Sequence, residues 1–142
     1  QEVFSQLFGG GTAQIVLTDP DNILTGGIDF YIQPPGKKRQ QLTLLSGGER
    51  ALTVIALLFS FLDYRPAPFC VLDEVDAALD EANVERFSSY LNRVNKETQF
   101  IVVSHRKKTM EAAEVLQGVT MVERGVSRLL TVAFEDVKED LA

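Results

Sequence analysis

The stretch Phe69-Cys70-Val71-Leu72-Asp73-Glu74-Val75-Asp76, FCVLDEVD, decides how the chain is read. Four apolar residues, preceded by the breakers Pro66 and Pro68, make a short strand with nothing polar on either face. The run ends in two adjacent carboxylates, with a third two positions on. Adjacent acids repel, and acids at the edge of a core are costly without a partner. Asp73 and Glu74 are therefore expected to meet a positive charge that the strand itself does not supply.

Working outward, Asp80 can cap a helix over Glu81–Lys96, whose apolar Val84, Phe87, Leu91 and Val94 fall three or four apart on one face. Phe100–Val103 is a second short apolar strand. Strand, helix and strand in that order predict a parallel sheet covered on both faces. Ligands of such sheets bind at the carboxyl ends of the strands, where Asp73, Glu74, Ser104 and His105 lie. Thr109–Leu116 reads as a helix, and Val119–Glu123 with Ser127–Val132 reads as a hairpin around Arg124-Gly125. Upstream, Glu49–Leu62 is so uniformly apolar that a largely buried helix is expected. Val3–Phe8 ends a helix at Gly9-Gly10-Gly11, Ala13–Leu17 and Ile28–Ile32 are β-rich runs, and Pro34–Arg39 is a basic loop.

The 142 residues suffice for one domain with a real core, and an apolar fraction of 45% argues against disorder. A net charge of −6 means that any contact with nucleic acid must be a local patch. No apolar run approaches the ~20 residues of a membrane span. The first residues lack the basic start and apolar core of a signal peptide. The single cysteine, Cys70, reads as a small core residue. A cytoplasmic setting fits these features.

Three constellations carry chemistry. In Leu45-Ser46-Gly47-Gly48-Glu49, Ser46 and Glu49 make a capping box for the apolar helix. The box leaves the two glycines unexplained, since each costs up to ~1 kcal/mol of helix propensity. Glycines there bare backbone N–H groups, and a helix N-terminus of that kind holds phosphate, so capping alone and capping plus phosphate binding are the two readings. Asp73 and Glu74 at a strand end fit a Walker B motif: Asp73 holding Mg²⁺ through water, Glu74 polarising the attacking water at a γ-phosphate. His105, the only histidine, is either a loop residue or a hydrogen-bond donor to the same phosphate. The runs Lys37-Lys38-Arg39 and Arg106-Lys107-Lys108 are solvated loops or candidate contacts to the DNA backbone.

These residues together resemble the carboxyl-terminal half of an ATP-binding-cassette head. Ser46-Gly47-Gly48 matches the signature motif, FCVLDE the Walker B, Ala78-Leu79-Asp80 the end of the D-loop that begins near Asp76, and His105 the switch histidine. Within that class the chain resembles SMC proteins, the chromosome-condensing ATPases, most closely the bacterial type. The resemblance runs through FGGGTAQIVLTDPDN, QPPGKKRQQLTLLSGGERAL and PFCVLDEVDAALDEANVERF, with Glu49 where transporter cassettes usually carry glutamine. It implies an α/β fold: the C-terminal lobe of an ABC-type P-loop ATPase head, mainly a parallel sheet flanked by helices, with a β-rich lead-in and a C-terminal hairpin.

No G-x-x-x-x-G-K-[ST] occurs in the sequence, so no P-loop is present to cradle the β- and γ-phosphates. In SMC proteins that loop lies far upstream, beyond a long coiled coil and hinge. The chain is thus expected to be a head half from a longer protein, one domain over 1–142, with 1–8 ending the coiled coil, 12–44 the lead-in and 45–142 the lobe. The resemblance further implies ATP and Mg²⁺ as cofactors and a catalytic pair in Glu74 and His105. It implies that Leu45, Ser46, Gly47, Gly48 and Glu49 touch ATP bound to the opposite head. The implied partners are the N-terminal head half, a second head, a kleisin winged-helix domain and DNA, at the nucleoid and with no membrane. The rival expectations are the head of a DNA-repair relative of the RecN or RecF type, a transporter subunit, and a module with a decayed site.

Overall fold

The computed structural model describes residues 1–94 and 98–133. The chain begins with helix α1 (Glu2–Phe8), followed by strands β1 (Thr12–Leu17), β2 (Ile28–Gln33) and β3 (Gln40–Gln41) and a 3-10 turn at Leu42–Leu44. Then come α2 (Gly47–Tyr64), β4 (Phe69–Asp73), α3 (Glu81–Leu91), β5 (Gln99–Val103) and α4 (Lys107–Glu111). The described chain closes on β6 (Val115–Glu123) and β7 (Val126–Ala133).

Helix α1 buries Val3, Phe4, Leu7 and Phe8 and stops at Gly9, whose φ of 70° is the left-handed cap that glycine adopts without strain. Strands β1, β2 and β3 form an antiparallel sheet in which Thr12 faces Gln33 and Leu17 faces Ile28. Strands β4 and β5 pair in parallel, from Phe69 opposite Gln99 to Asp73 opposite Val103. Strands β6 and β7 form an antiparallel hairpin. The fold is thus mixed α/β, with the β-rich lead-in and the terminal hairpin in place.

The core is set by one stripe of α2. Leu52, Ile55, Ala56, Phe59 and Leu62 recur at three- and four-residue steps and are all buried. Phe59 lies at its centre, 5.0 Å from the ring of Tyr90, 6.2 Å from Phe87 and edge-on to Phe100 at 5.8 Å. Truncating a buried ring of this kind to alanine costs ~3–5 kcal/mol. Cys70 sits half-buried on the covered side of β4, and burial pushes its thiol up.

Several expectations need correction. Helix α2 is not buried all round: Val54 and Phe61 on its other face are 54% and 63% exposed. The parallel pair is covered on one face only among the described residues, since Leu72 is buried while Phe69, Val71, Ile101 and Val103 are about half exposed. Helix α3 ends at Leu91, with Asn92 as its C-cap, and positions 95 and 96 of the longer expected helix lie outside the described residues. Positions 134–142 of the expected lobe also lie outside them. The helix expected over Thr109–Leu116 is the short α4, and Val115 and Leu116 belong to β6, opposite Ala133 and Val132. Five residues and the pull of a nine-residue hairpin strand outweigh the weak helical pattern there.

Candidate functional site

Strand β4 brings Asp73 to its carboxyl end, exposed and opposite Val103. The ladder continues one step, with Glu74 N donating to Val103 O at 2.9 Å, and then breaks. Glu74 has φ 47°, the one left-handed non-glycine residue among the described residues. Such a conformation costs of order 1–3 kcal/mol and persists only where the surroundings enforce it. The twist carries the Glu74 side chain out of the sheet toward His105, with Oε1 3.9 Å from Nδ1 and both side chains about two-thirds exposed. That gap is too wide for a direct hydrogen bond.

No group of three or more metal-ligating side chains occurs among the described residues. Asp73 at the strand end is the type of ligand Mg²⁺ takes singly, together with waters and substrate phosphates.

Between Glu74 and Asp80 the chain makes tight turns, Ala77 N to Glu74 O at 3.0 Å and Leu79 N to Asp76 O at 3.1 Å. Asp76 is completely buried, and its Oδ2 accepts from Ser104 Oγ and from Thr109 Oγ1, each at 2.5 Å. Both hydroxyls satisfy a buried oxygen that would be costly to leave without a donor. Asp76 Oδ1 has no partner among the described residues. Leu79 is buried, Ala78 is exposed, and Asp80 caps α3 by accepting from Asn83 N at 2.8 Å.

The stretch Leu45–Glu49 forms the reciprocal box at the start of α2. Glu49 N donates to Ser46 Oγ at 3.4 Å, and Ser46 N and Oγ donate to Glu49 Oε2 at 3.2 and 2.9 Å. Leu45 is buried beneath it. The other oxygen of Glu49 meets Lys37 Nζ at 2.8 Å. The hydrogen bond from Lys37, and after it those from Ser46, hold the Glu49 carboxyl below the usual carboxylate range, although partial burial pushes the other way.

The two glycines differ. A Cβ at Gly47 would meet nothing within 4 Å, whereas one at Gly48 would meet Ala78 O at 3.3 Å and Asp80 N at 3.9 Å. Gly48 thus lets α2 start against the Ala78–Asp80 turn, and Gly47 leaves the N-terminus of an 18-residue helix open. That opening suits an anion such as a nucleotide phosphate. A cleft of about 320 Å³ flanks it, lined in part by Pro35, Lys37, Ser46, Glu49, Asp80 and Arg86.

The structure therefore brings together two groups. Asp73, Glu74 and His105 lie at the ends of β4 and β5, and Leu45–Glu49 lies against Ala78 and Asp80. Among the described residues no hydrogen bond or ion pair joins Ser46 or Gly47 to Glu74 or His105, and the segment Glu74–Asp80 is what links them. The basic runs are largely engaged: Arg39 lies over the Tyr31 ring at 4.6 Å and donates to Gln14, and Lys107 and Lys108 each lie 3.6 Å from Glu111. Arg106 reaches the carbonyls of Ala77 and Leu79, and Lys38 is exposed. Three features escaped the sequence reading: Thr109 on Asp76, Arg106 on the D-loop and Lys37 on Glu49. The hydroxyls flanking His105 at 104 and 109 were the one available signal.

Residues 29–128 match the family described as the RecF/RecN/SMC N terminal domain. The chain is 63% identical over 138 residues to the chromosome partition protein Smc of Bacillus subtilis (strain 168), covering 97% of this chain and 12% of that protein. It therefore spans about an eighth of the length of the curated relatives it matches. Its structure is similar to the Smc head domain of Pyrococcus furiosus, solved with an extended coiled coil and bound to the C-terminal domain of ScpA. The TM-score is 0.86 and the identity 38%, over 99% of this chain and 35% of that one. It is also similar to a structure from work on ATP-driven dimerization and DNA-stimulated activation of SMC ATPases. There the TM-score is 0.85 and the identity 37%, over 99% and 84% of the two chains.

Proposed function

The chain belongs to the RecF/RecN/SMC family, and from that premise we propose that it forms the C-terminal half of an ATPase head acting in chromosome partition. The observation that carries the reading is the placement of Glu74 Oε1 3.9 Å from His105 Nδ1 at the carboxyl end of the parallel pair. The strained backbone of Glu74 supports it, because strain of this kind collects at working sites.

In this reading Glu74 orients the attacking water, and His105 donates to the phosphate oxygen that gains charge. Asp73 would hold Mg²⁺ through water, and the ion would neutralise phosphate charge. Leu45–Glu49 serve a nucleotide on an opposing head, with Gly47 giving the phosphate access to bare N–H groups. Two nucleotides bound in this way join two heads, and their hydrolysis separates them. The D-loop, Asp76 and Ala78–Asp80, lies between the two sites. The absence of a P-loop from the sequence assigns the phosphate cradle to an N-terminal half. The half-exposed apolar face of β4 and β5 and the exposed Val119, Leu129 and Leu130 of the hairpin are the surface that such a half would cover.

A kleisin winged-helix domain is the further partner, by analogy with the ScpA-bound head. DNA is the substrate to be moved, with Lys37, Lys38, Arg39, Arg106, Lys107 and Lys108 as candidate contacts. The setting is the nucleoid in the cytoplasm. Among the described residues no helix is long and apolar enough to cross a membrane. As units, 1–8 ends the coiled coil, 12–44 is the lead-in and 45–142 the catalytic lobe of one domain. Calorimetry with and without a co-expressed P-loop half tests the reading: tight ATP binding is expected only with both. Tight binding by the chain alone would refute it.

A further inference from the structure

His105 is the middle of three consecutive residues whose two neighbours both turn back onto the segment between Glu74 and Asp80. On one side, Ser104 Oγ donates to the buried Asp76 and accepts from Arg106 N at 3.0 Å. On the other, Arg106 Nη2 donates to Ala77 O at 3.2 Å and to Leu79 O at 3.0 Å. Helix α4 adds Thr109 Oγ1 on the same Asp76 oxygen at 2.5 Å. The imidazole between them is two-thirds exposed, and among the described residues Glu74 is the one acid within ion-pair distance of it. Among the described residues no hydrogen bond holds the His105 side chain itself. Its neighbours hold it, and they fix it to the D-loop rather than to the body of the sheet.

We propose that Asp76 and Arg106 are positioning residues that clamp the His105 loop to the D-loop, so that the imidazole and the D-loop move as one body. The inference rests on the reading of His105 as a group acting in hydrolysis. It goes further by assigning Arg106 a role at the nucleotide site, and by giving the D-loop a mechanical grip on a residue of its own head's site. A D-loop displaced by an opposing head would carry His105 with it. Asp76 suits this role: a fully buried acid with two short hydroxyl donors has few alternative arrangements, because leaving buried polar groups unpaired is costly.

The test is a double-mutant cycle in the full-length protein, with ATPase rates measured without DNA so that a lost phosphate contact plays no part. Arg106→Met keeps the apolar stem and removes both carbonyl contacts. It is expected to lower kcat ten- to hundred-fold, about what a misplaced group costs, with KM within about twofold. In a His105→Ala background the same change should cost less than about twofold, because its effect passes through His105. A substitution that merely loosened the fold would cost as much in both backgrounds, and that outcome, or an unchanged kcat for Arg106→Met, overturns the proposal. If Arg106→Met does not fold, Thr109→Val carries the same cycle, with Thr109→Ser expected to restore the rate. His105→Ala alone separates the two levels. If that variant keeps full activity, the hydrolytic reading of His105 falls and the clamp with it. If it is slow but the cycle is additive, only the clamp falls.

Discussion

Lys37 Nζ meets one oxygen of Glu49 at 2.8 Å while the other oxygen of the same carboxylate holds Ser46. A residue of the basic loop thus steadies the Ser46–Glu49 cap from outside the helix. The Glu49 carboxyl is held below its ordinary range in the folded protein, by Lys37 first. A depressed folded pKa contributes stability above the unfolded value, and that stability is lost as pH falls through the folded one. The assembled head should therefore lose stability on Lys37→Met at neutral pH. The difference from wild type should shrink in acid, below roughly pH 4. Thermal melts across that range check it, and a difference independent of pH would show that the ion pair is idle.

Glu74→Gln in an assembled head should keep ATP binding and lose ~10²- to 10⁴-fold in turnover. The amide fits the same left-handed turn but cannot orient the water as a carboxylate does. Trapped nucleotide should then hold two heads together, seen by light scattering as an ATP-dependent dimer. Near-normal turnover would move the role to another residue.

Ser46→Arg separates capping from ligand contact. A lost cap alone costs ~0.5–2 kcal/mol and leaves ATP-driven pairing intact. A blocked trans site abolishes pairing, even with Glu74→Gln, while each head still binds ATP. The second outcome is expected, and sedimentation with and without ATP decides it.

Gly47 and Gly48 should respond in opposite directions. Gly47→Ala meets open space, so the helix should melt no lower, with up to ~1 kcal/mol gained from propensity, yet head pairing should weaken. Gly48→Ala presses on Ala78 O and should lower the melting temperature. Equal melts for the two variants would contradict this geometry.

What was legible in the sequence was what is local. The apolar run at 69–72, the capping letters at 46 and 49 and the breakers at 66 and 68 fixed β4 and α2, because each is decided within a few residues. Val115 and Leu116 misled because β6 depends on partners in β7, beyond a turn. Asp76 was placed in the D-loop by motif, but its grip on Ser104 and Thr109 spans 28 and 33 residues and has no periodic signature. The open faces of α2 and of the parallel pair were read as buried because apolar composition shows that a surface wants cover, not where the cover comes from.

Cys70, the only thiol, lies on the covered side of β4, three residues before Asp73. Its partial burial pushes the thiol pKa up and keeps the reactive thiolate scarce, so its rate of reaction with a thiol reagent follows how well the strand is covered. The labelling rate of this one sulfur is then a clock for the cover of β4 beside Asp73 and Glu74. It can be read in this chain alone and again beside a co-expressed P-loop half, and in this chain it needs no introduced probe.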